Sequence, residues 1–398
     1  MTSLPVSDAR TVGAAGPDAP RLPQGHLFEA DGLPHLLLAN GSRIYELPER
    51  AAAAIEAAMS ARDEAALERL LARYGLDAPS YVDDEAPAAV PTRAISLAIA
   101  QKCNLACTYC YAEGGDFGGP ARSMPIETAI AAAKTLIDGT PAGERVNIAF
   151  LGGEPLTNRA GLVAATEFAA DYAARRDVRS TFSVTTNGTL LTREDGAFFE
   201  RHGFAVTVSL DGIGEAHDRQ RAFKGGRGSF DRIIQRVSPL LAMQRRMQVS
   251  ARVTVTPRNL RLREALDSLI ALGFHSVGFA PLLSSPTGAA EMQRSDLAAM
   301  LQQMIACGRA FETQLLAGNR YPFSNMVTAL QEIHKGTHRP YACGAGGPYL
   351  GVAADGGLYA CHRFVGDEAR ALGSLETGVD EPRQRRWMTS RHVAAQEP

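Results

Sequence analysis

The chain has 398 residues, a formal net charge of −2, and a composition that is 45% hydrophobic and 21% charged. A balance this close to neutral gives no electrostatic sign of nucleic-acid binding. No apolar run approaches the ~20 residues needed to cross a bilayer, and the N-terminus lacks the basic and apolar regions of a secretory signal. We therefore expect a cytoplasmic protein with no nucleic-acid partner and no membrane partner.

The N-terminal part of the chain is predicted to form a small unit of its own. Residues 1–20 are rich in Ala, Pro, Gly and Asp without an apolar period, which predicts a disordered leader. The segments HLFEA, HLLLAN and SRIYEL predict three short strands, the first two joined by a turn at Asp31 and Gly32. Two helices are predicted next, over Glu49–Ser60 and Asp63–Tyr74. Residues 22–80 thus indicate a compact winged-helix-like unit, and the Pro-rich acidic stretch at 79–92 indicates a linker.

Strands and amphipathic helices alternate from Ala94 onward. Six strands are predicted, over residues 94–100, 146–151, 181–186, 205–210, 249–255 and 276–282. The helices predicted between them cover Pro125–Leu136, Ala160–Arg175, Phe230–Met247 and Leu262–Leu272. Repeated strand–helix units imply parallel strands with right-handed crossovers. Because six units fall short of a closed barrel of eight, the predicted fold class is α/β, with a partial (β/α)6 barrel at 93–310. Its chemistry is expected at the C-terminal ends of the strands.

The C-terminal region is predicted to begin with a long helix at about Ser295–Leu316. A Tyr/Pro/Phe segment and a Gly-rich stretch follow. The sequence CGAGGPYLGVAADGGLYACHRF predicts a hairpin bracketed by Cys343 and Cys361, with Asp355 and Gly356 at its turn.

Three of the six cysteines lie within eight residues, at Cys103, Cys107 and Cys110. Their C-x3-C-x2-C spacing follows the first barrel strand, and such a cluster in a cytosolic chain indicates metal or redox chemistry. Three thiolates can ligate three irons of a [4Fe–4S] cluster and leave the fourth open to a small chelating molecule. A structural zinc site would need a fourth ligand, and no other Cys or His is close in the sequence. The alternative is three buried thiols packed by chance, and Cys307, inside a predicted helix, is expected to serve packing.

With Tyr109 in its aromatic position, this motif resembles the C-x3-C-x-aromatic-C motif of the radical S-adenosylmethionine (SAM) superfamily. The resemblance extends over about residues 94–390. It implies a [4Fe–4S] cluster that binds SAM and splits it by a single electron to start hydrogen abstraction from a substrate. It also implies that Gly152, Gly153 and Glu154 in LGGEP contact the methionine ammonium group. For LGGEP alone, an ordinary turn is the alternative.

Two later segments resemble parts of the SAM pocket in this superfamily. TTNGTLL and SLDG follow the third and fourth barrel strands and suggest Thr186, Asn187 and Ser209 as polar contacts. Arg221 and Arg252 are predicted partners of the methionine carboxylate, since guanidinium groups suit carboxylates. The alternative for either arginine is a surface ion pair.

The segment AEGGDFGGPARSM at 112–124 resembles maturases that install thioether bridges in ribosomal peptides. One such group matures SCIFF peptides. The other matures the small subunit of quinohemoprotein amine dehydrogenase by joining Cys sulfur to carbons of Asp or Glu, and the C-terminal stretch favours it. The resemblance implies a peptide or small protein substrate and a ferredoxin or flavodoxin as electron donor. The alternatives are a SCIFF-type or other maturase acting on a different residue pair, and a non-catalytic iron–sulfur scaffold.

These maturases carry a SPASM domain with auxiliary [4Fe–4S] clusters, and residues 318–398 resemble its beginning. Cys343, Gly356 and Cys361 fit the opening pattern, while the later cysteine group is absent before Pro398, so we expect a truncated domain. The alternatives are one incomplete cluster site or two buried thiols. Sulfatase maturases place a catalytic Asp in the segment corresponding to RYPFSNMVTAL at 320–330, which has no carboxylate here. This disfavours simple oxidation of Ser or Cys.

The N-terminal unit at 22–80 resembles the peptide-recognition elements of peptide maturases. Such elements bind a leader peptide as an added strand at an exposed sheet edge. The alternative is a structural cap on the barrel.

Overall fold

A computed structural model describes residues 25–38, 42–77, 90–335, 340–341, 343–392 and 395. The predicted disordered leader at 1–20 and most of the predicted linker lie outside the described residues. The chain divides into two compact units. The larger contains residues 87–328 and 343–388, and the smaller contains the described parts of 1–86, 329–342 and 389–398.

The N-terminal segment folds as three strands followed by two helices, at the predicted positions. The elements are β1 (Gly25–Ala30), β2 (Leu33–Leu38), β3 (Arg43–Glu46), α1 (Glu49–Ala61) and α2 (Glu64–Arg73). The strands form an antiparallel sheet in the order β1-β2-β3. Asp63 caps α2, because its side chain accepts a hydrogen bond from the Ala66 N–H at 2.9 Å. Leu36 and Ile55 are fully buried between sheet and helices.

The larger unit contains the six predicted barrel strands. In chain order the elements are β4 (Ala94–Gln101), the short β5 (Arg122–Ser123), α3 (Ile126–Asp138), β6 (Arg145–Gly152), α4 (Arg159–Arg175), β7 (Arg179–Thr186), α5 (Arg193–His202), β8 (Ala205–Ser209), α6 (Glu215–Asp218), α7 (Phe230–Met243), β9 (Gln248–Val255), α8 (Leu262–Ala271) and β10 (Val277–Pro281). The strands β4-β6-β7-β8-β9-β10 are neighbours in that order, and each adjacent pair is parallel. This confirms the predicted α/β fold with a central parallel sheet.

Two helices of the barrel differ from the prediction. No helix was predicted at α5, whose sequence REDGAFFERH is mostly charged. It nevertheless begins at a capping box between Thr192 and Asp195 and buries Phe199. The helix predicted to reach Met247 ends at Met243, because the Glu200 carboxylate accepts hydrogen bonds from the N–H groups of residues 245, 246 and 247 at 2.8–3.1 Å.

The C-terminal region contains helices and strands, and its strands extend the barrel sheet. The elements are α9 (Arg294–Leu316), α10 (Ser324–Lys335), β11 (Tyr349–Val352), β12 (Gly357–Tyr359), β13 (Ala371–Ser374), β14 (Gly378–Val379) and α11 (Glu381–Arg391). The predicted hairpin is confirmed as β11–β12. The sequence did not indicate that β11 pairs in parallel with β4, so that β11 to β14 continue the sheet beyond the first barrel strand. The predicted domain boundary at residue 318 stays a prediction. Across the described residues, no helix is long and apolar enough to cross a membrane.

Candidate functional site

The cysteine loop (residues 102–110) follows the C-terminal end of β4 and is held by backbone hydrogen bonds. The N–H of Ala106 donates to Ala222 O at 2.9 Å, and the N–H of Thr108 donates to Gln220 O at 3.0 Å. The N–H of Lys224 donates back to Asn104 O at 3.3 Å. The loop therefore runs alongside the segment after α6, and its three cysteines are all partly exposed.

The three thiols are close enough to influence one another's pKa. Burial raises the pKa of Cys107 to about 11, while the nearby Arg221 guanidinium acts in the opposite direction. Burial also raises the pKa of Cys103. Among the described residues, no three His, Cys, Asp or Glu side chains form a group that could hold a metal ion. A cuboidal cluster does not require three side chains around a single metal ion, because each thiolate bonds a different iron.

Two glycines let the end of β6 pack directly against the cysteine loop. A Cβ on Gly152 would lie 2.3 Å from Ala100 O, and one on Gly153 would lie 2.3 Å from Lys102 O. The absence of side chains allows the N–H of Gly153 to reach Ala100 O at 2.8 Å and the N–H of Glu154 to reach Lys102 O at 2.8 Å. These glycines, predicted to approach a cofactor, support the loop that carries the cysteines.

Glu154 joins the ends of β6 and β7. Its carboxylate is fully buried and accepts hydrogen bonds from Leu156 N–H at 3.0 Å, Thr186 Oγ1 at 2.7 Å and Asn187 N–H at 2.7 Å. Burial raises its pKa, and these three hydrogen bonds oppose that rise. Of the four lone-pair positions of the carboxylate, one on Oε2 has no donor among the described residues.

Asn187 carries this network to the cysteines. Its amide nitrogen donates to Asn104 Oδ1 at 2.9 Å and lies 3.6 Å from Cys103 Sγ. Its Oδ1 accepts from Thr189, whose hydroxyl in turn accepts a hydrogen bond from Asn104. Glu154, Thr186 and Asn187, predicted as SAM contacts, are therefore brought together, and they link two strand ends to the first cysteine.

Tyr109 and Arg221 belong to a second buried network, centred on Asp211. The Tyr109 hydroxyl donates to the Asp211 carboxylate and accepts a hydrogen bond from Arg221 Nη1 at 2.6 Å. Arg221 lies 3.9 Å from the Asp211 carboxylate, and both side chains are buried. The Arg221 Nε is buried without a hydrogen-bond partner among the described residues. Tyr109 and Arg221 were predicted to contact SAM, and the structure places both in the support of the cysteine loop.

Sequence reasoning missed Asp211. Its Oδ1 accepts from the Thr254 N–H at 3.0 Å, and its backbone oxygen accepts from Asn259 Nδ2 at 3.0 Å. Burial raises its pKa, and the Arg221 charge opposes the rise. An acidic residue directly after a buried strand, with Arg221 ten residues later, is the sequence signal that could have found it, because buried carboxylates are paired.

His217 fixes the position of this network. Its Nδ1 accepts a hydrogen bond from the Asp211 N–H at 3.1 Å, so Nε2 carries the proton and donates to Ser229 Oγ at 2.9 Å. Ser229 Oγ donates in turn to Arg221 O at 2.5 Å. Burial, and then the Arg221 charge, lower the pKa of His217 to about 3, so its ring is neutral at physiological pH.

Arg252 is placed differently from Arg221. It is paired in register with Ser209 across β8 and β9, and its side chain is exposed. No hydrogen bond or ion pair joins its guanidinium to another described residue. Desolvation and the nearby Arg363 lower its pKa. Arg252 is thus the predicted arginine that remains available to an anion, beside the half-buried Ser209.

The C-terminal cysteines, Cys343 and Cys361, have fewer hydrogen-bonded neighbours among the described residues than the cysteine loop has. Cys343 is exposed, whereas Cys361 is half-buried and lies 3.5 Å from His362 Nδ1. That nitrogen also lies 2.6 Å from the Tyr349 hydroxyl. Burial raises the pKa of Cys361, and the neighbouring Cys343 acts in the same direction. Cys307 is fully buried in α9, which confirms its predicted packing role.

The sequence of the larger unit matches a known family. Residues 97–240 match the model of the Radical SAM superfamily. A serine-type anaerobic sulfatase-maturating enzyme of Klebsiella aerogenes is 30% identical over 299 residues, covering 72% of this chain and 70% of that protein. The chain belongs to the radical SAM superfamily.

Two solved structures share the fold of this radical SAM protein. Native anSMEcpe with bound AdoMet, which is SAM, has a TM-score of 0.62 at 20% identity, covering 76% of this chain and 82% of that one. SuiB of Streptococcus suis bound to precursor peptide SuiA has a TM-score of 0.52 at 14% identity, covering 86% of this chain and 83% of that one.

As a radical SAM enzyme, the chain uses a [4Fe–4S] cluster and SAM. The residues at the end of β4 fit this cofactor pair: three thiols on one loop, and the unpartnered Nε–H of Arg221 close to Cys107. A buried donor without a partner is costly unless an acceptor such as a thiolate or sulfide meets it. When bound, the cluster supplies the electron that cleaves SAM.

Proposed function

We propose that this radical SAM enzyme forms intrapeptide thioether cross-links, from Cys sulfur to a carbon of Asp or Glu, in a peptide or small protein subunit. The resemblance of residues 112–124 to thioether-forming maturases supports the reaction. The sulfatase-maturating relative, whose name denotes a protein substrate, supports the substrate class. Each bridge replaces one C–H and one S–H bond by one C–S bond, so the substrate loses two hydrogens. The hydrogen atom of the C–H bond would go to the deoxyadenosyl radical, and the S–H hydrogen would leave as a proton while its electron passes to an iron–sulfur cluster.

The observation that carries the proposal is the structural use of Ser324 and Asn325. Ser324 Oγ donates to Val277 O at 3.0 Å. Asn325 Oδ1 accepts from the Phe279 N–H at 2.8 Å, and its Nδ2 donates to Phe279 O at 3.0 Å. Both residues therefore hold the edge of β10. By the resemblance to sulfatase maturases, this segment takes the place of the one that carries their catalytic Asp. A reaction in which the substrate thiol attacks carbon suits a site without that carboxylate.

The residues of the site have distinct roles in this proposal. Cys103, Cys107 and Cys110 hold three irons. Arg252, with Ser209 beside it, binds the methionine carboxylate of SAM, because Arg221 is already engaged by Tyr109 and Asp211. The remaining acceptor position on Glu154 binds the methionine ammonium group. Cys343 and Cys361 are proposed ligands of an auxiliary iron–sulfur group.

The N-terminal unit is the proposed leader-binding element. In the described part of the chain, β1 and β3 pair only with β2, so each leaves one edge to which a peptide strand could add. Deleting residues 22–80 should spare SAM cleavage without substrate but weaken peptide modification. A labelled leader peptide should also bind the full chain in a fluorescence anisotropy titration. Full substrate turnover by the deletion variant would contradict this assignment.

The reaction is tested by mass spectrometry of a substrate peptide coexpressed with the enzyme. We expect a loss of two hydrogens per bridge, together with the loss of one alkylatable Cys thiol, and fragmentation should place the bridge at an Asp or Glu carbon. A bridge to another residue would favour a SCIFF-type or other maturase.

A second candidate is Ser oxidation, which the similarity to the serine-type sulfatase-maturating enzyme favours. Ser oxidation to an aldehyde also removes two hydrogens, so the mass change alone does not separate the two reactions. Reaction with hydroxylamine detects the aldehyde, and thiol alkylation detects the thioether. The scaffold alternative predicts that the reduced protein makes no deoxyadenosine from SAM.

A further inference from the structure

The segment beside the cysteine loop presents a local excess of cations to solvent. Residues 219–227, RQRAFKGGR, contain four basic residues and no acidic one, although the whole chain has a net charge of −2. Arg219, Lys224 and Arg227 are exposed, whereas Arg221 is buried in the network with Asp211. The excess is therefore a feature of this surface and not of the overall composition.

The backbone of this basic segment is hydrogen-bonded to the backbone of the cysteine loop. Lys224 N–H bonds to the carbonyl of Asn104, the residue after Cys103, and Ala222 O accepts from Ala106, the residue before Cys107. A tight turn follows, in which the Phe223 N–H donates to Arg227 O at 2.9 Å. One hydrogen bond thus separates the backbone of the cationic segment from the backbone of the cysteine loop.

The cationic surface continues into a neighbouring cleft of about 430 Å³, lined by Arg219, Arg258 and Arg261 among others. Two acidic residues on this cleft form ion pairs: Glu215 with Arg219 at 3.8 Å, and Glu264 with Arg261 at 3.4 Å.

Lys224 and Arg258 have no ion pair with another described residue, and Arg227 lies over the Phe223 ring at 5.2 Å. We call Arg219, Lys224, Arg227 and Arg258 the basic surface. After the ion pairs of the cleft are counted, its remaining charge is positive.

We infer that the basic surface is the docking site of an acidic, low-potential redox protein of the flavodoxin or ferredoxin class. The cluster must receive an electron from a partner, and the approach over residues 222–227 reaches the cysteine loop directly. Electron-transfer complexes are small and transient, below about 1,200 Å² of buried area, so a few charges are sufficient. Opposite charge on the partner would steer it to this surface and increase the association rate. The inference rests on reduction of the cluster, whichever bond the enzyme forms afterwards.

The test compares two charge-reversed variants of the reconstituted full chain. Lys224→Glu/Arg227→Glu changes the basic surface and keeps the backbone N–H of Lys224. The control, Arg193→Glu/Arg309→Glu, makes the same change in net charge at two exposed arginines elsewhere. Cluster reduction is followed by the bleaching of its visible absorbance, with pre-reduced flavodoxin, with pre-reduced ferredoxin, or with dithionite as the reductant.

We expect the basic-surface variant to be reduced by flavodoxin or ferredoxin at least about tenfold more slowly than wild type at low salt. Dithionite should reduce all three proteins equally, because a small reductant needs no docking site. The difference between wild type and variant should shrink as salt screens the charges.

Equal protein-driven rates for wild type and the basic-surface variant, or an equal loss in the control, would overturn the inference. An unchanged reduction rate with a raised KM for an acidic peptide substrate would also overturn it, and would assign the surface to the substrate. Absorbance bleaching needs no turnover, so a failure of the thioether proposal would leave this result readable.

Discussion

The two sets of cysteines are built in opposite ways. The cysteine loop after β4 is held by backbone hydrogen bonds and by two buried polar networks, one through Glu154 and Asn187 and one through Asp211. In contrast, Cys343 is exposed, and the half-buried Cys361 is held by its chain neighbours His362 and Arg363.

If the proposed auxiliary site binds iron, this difference predicts that the cysteine loop is organised before iron binds and the auxiliary site is not. Ligands fixed by packing and by outer hydrogen bonds keep their geometry, whereas loosely held ligands must be ordered by the metal. We therefore expect the cysteine loop to keep its geometry without iron, and the proposed auxiliary ligands Cys343 and Cys361 to be ordered by the group they bind.

Removing one cysteine from each set is the strongest test of this contrast. Cys107→Ala removes an iron ligand, so SAM cleavage should fall to background, a larger loss than the roughly 10–100-fold typical of altered outer-shell partners. Cys361→Ala should keep SAM cleavage without substrate and lower only the iron content. Deoxyadenosine formation and iron analysis after anaerobic reconstitution measure both. A loss of SAM cleavage in Cys361→Ala would remove the distinction between the two sets.

Asp211→Asn tests whether the network beneath the cysteine loop stabilises the fold. The change leaves the buried Arg221 without its carboxylate, for which we expect a loss of about 3–5 kcal/mol in the free energy of unfolding. The matched control is Asp171→Asn, which breaks the exposed ion pair with Arg175 and should cost less than about 1 kcal/mol. Urea unfolding of the two proteins measures the difference, and equal losses would show that the network is dispensable.

His217 should make the same network sensitive to acid. Its pKa is lowered from 6.5 to about 3, so between these values the unfolded chain binds a proton that the folded chain does not. Its stabilising contribution is present above pH 6.5 and is lost as the pH falls toward 3, by about 2 kcal/mol between pH 6.5 and 5. Comparing unfolding of wild type and His217→Gln across this range isolates the effect. Parallel pH profiles would contradict it.

Arg252→Ala gives the smallest expected effect and tests the available arginine. Losing one charge-assisted contact to the SAM carboxylate should raise the KM for SAM roughly tenfold, equivalent to about 1.4 kcal/mol. The unfolding midpoint should stay unchanged, because Arg252 has no ion pair with the described residues. Arg261→Ala, at an exposed ion pair with Glu264, serves as the control. An unchanged KM in Arg252→Ala would remove that residue from the SAM site.

The barrel strands could be predicted because their signal is local. The sequence of β4 is a nearly continuous apolar run, and the sequence of β9 alternates between apolar and polar residues, so both patterns show which positions are buried. The end of β4 then locates the cysteine loop. The helix α5 could not be predicted in this way, since its two buried aromatic residues are surrounded by charged ones.

The site residues also differ in whether the local sequence reveals them. The spacing of Cys103, Cys107 and Cys110 is visible in the sequence, but the different roles of Arg221 and Arg252 are not. What separates them is the set of partners that the fold brings together. Tyr109, which is 112 residues away in the chain, and Asp211 surround Arg221, whereas Arg252 has no such partner among the described residues. The pairing of β11 with β4 is likewise a contact between distant segments, for which a single sequence carries little information.

That pairing has a consequence for any attempt to isolate the catalytic part. β11 covers one side of β4, and the Ala354 N–H donates to Gln101 Oε1 at 3.0 Å at the very start of the cysteine loop. A fragment ending before residue 343 would expose the backbone N–H and C=O groups along one edge of β4, the strand that precedes the cysteine loop. Exposed strand edges pair with other chains and promote aggregation. Catalytic barrel and C-terminal hairpin therefore have to be produced as one piece.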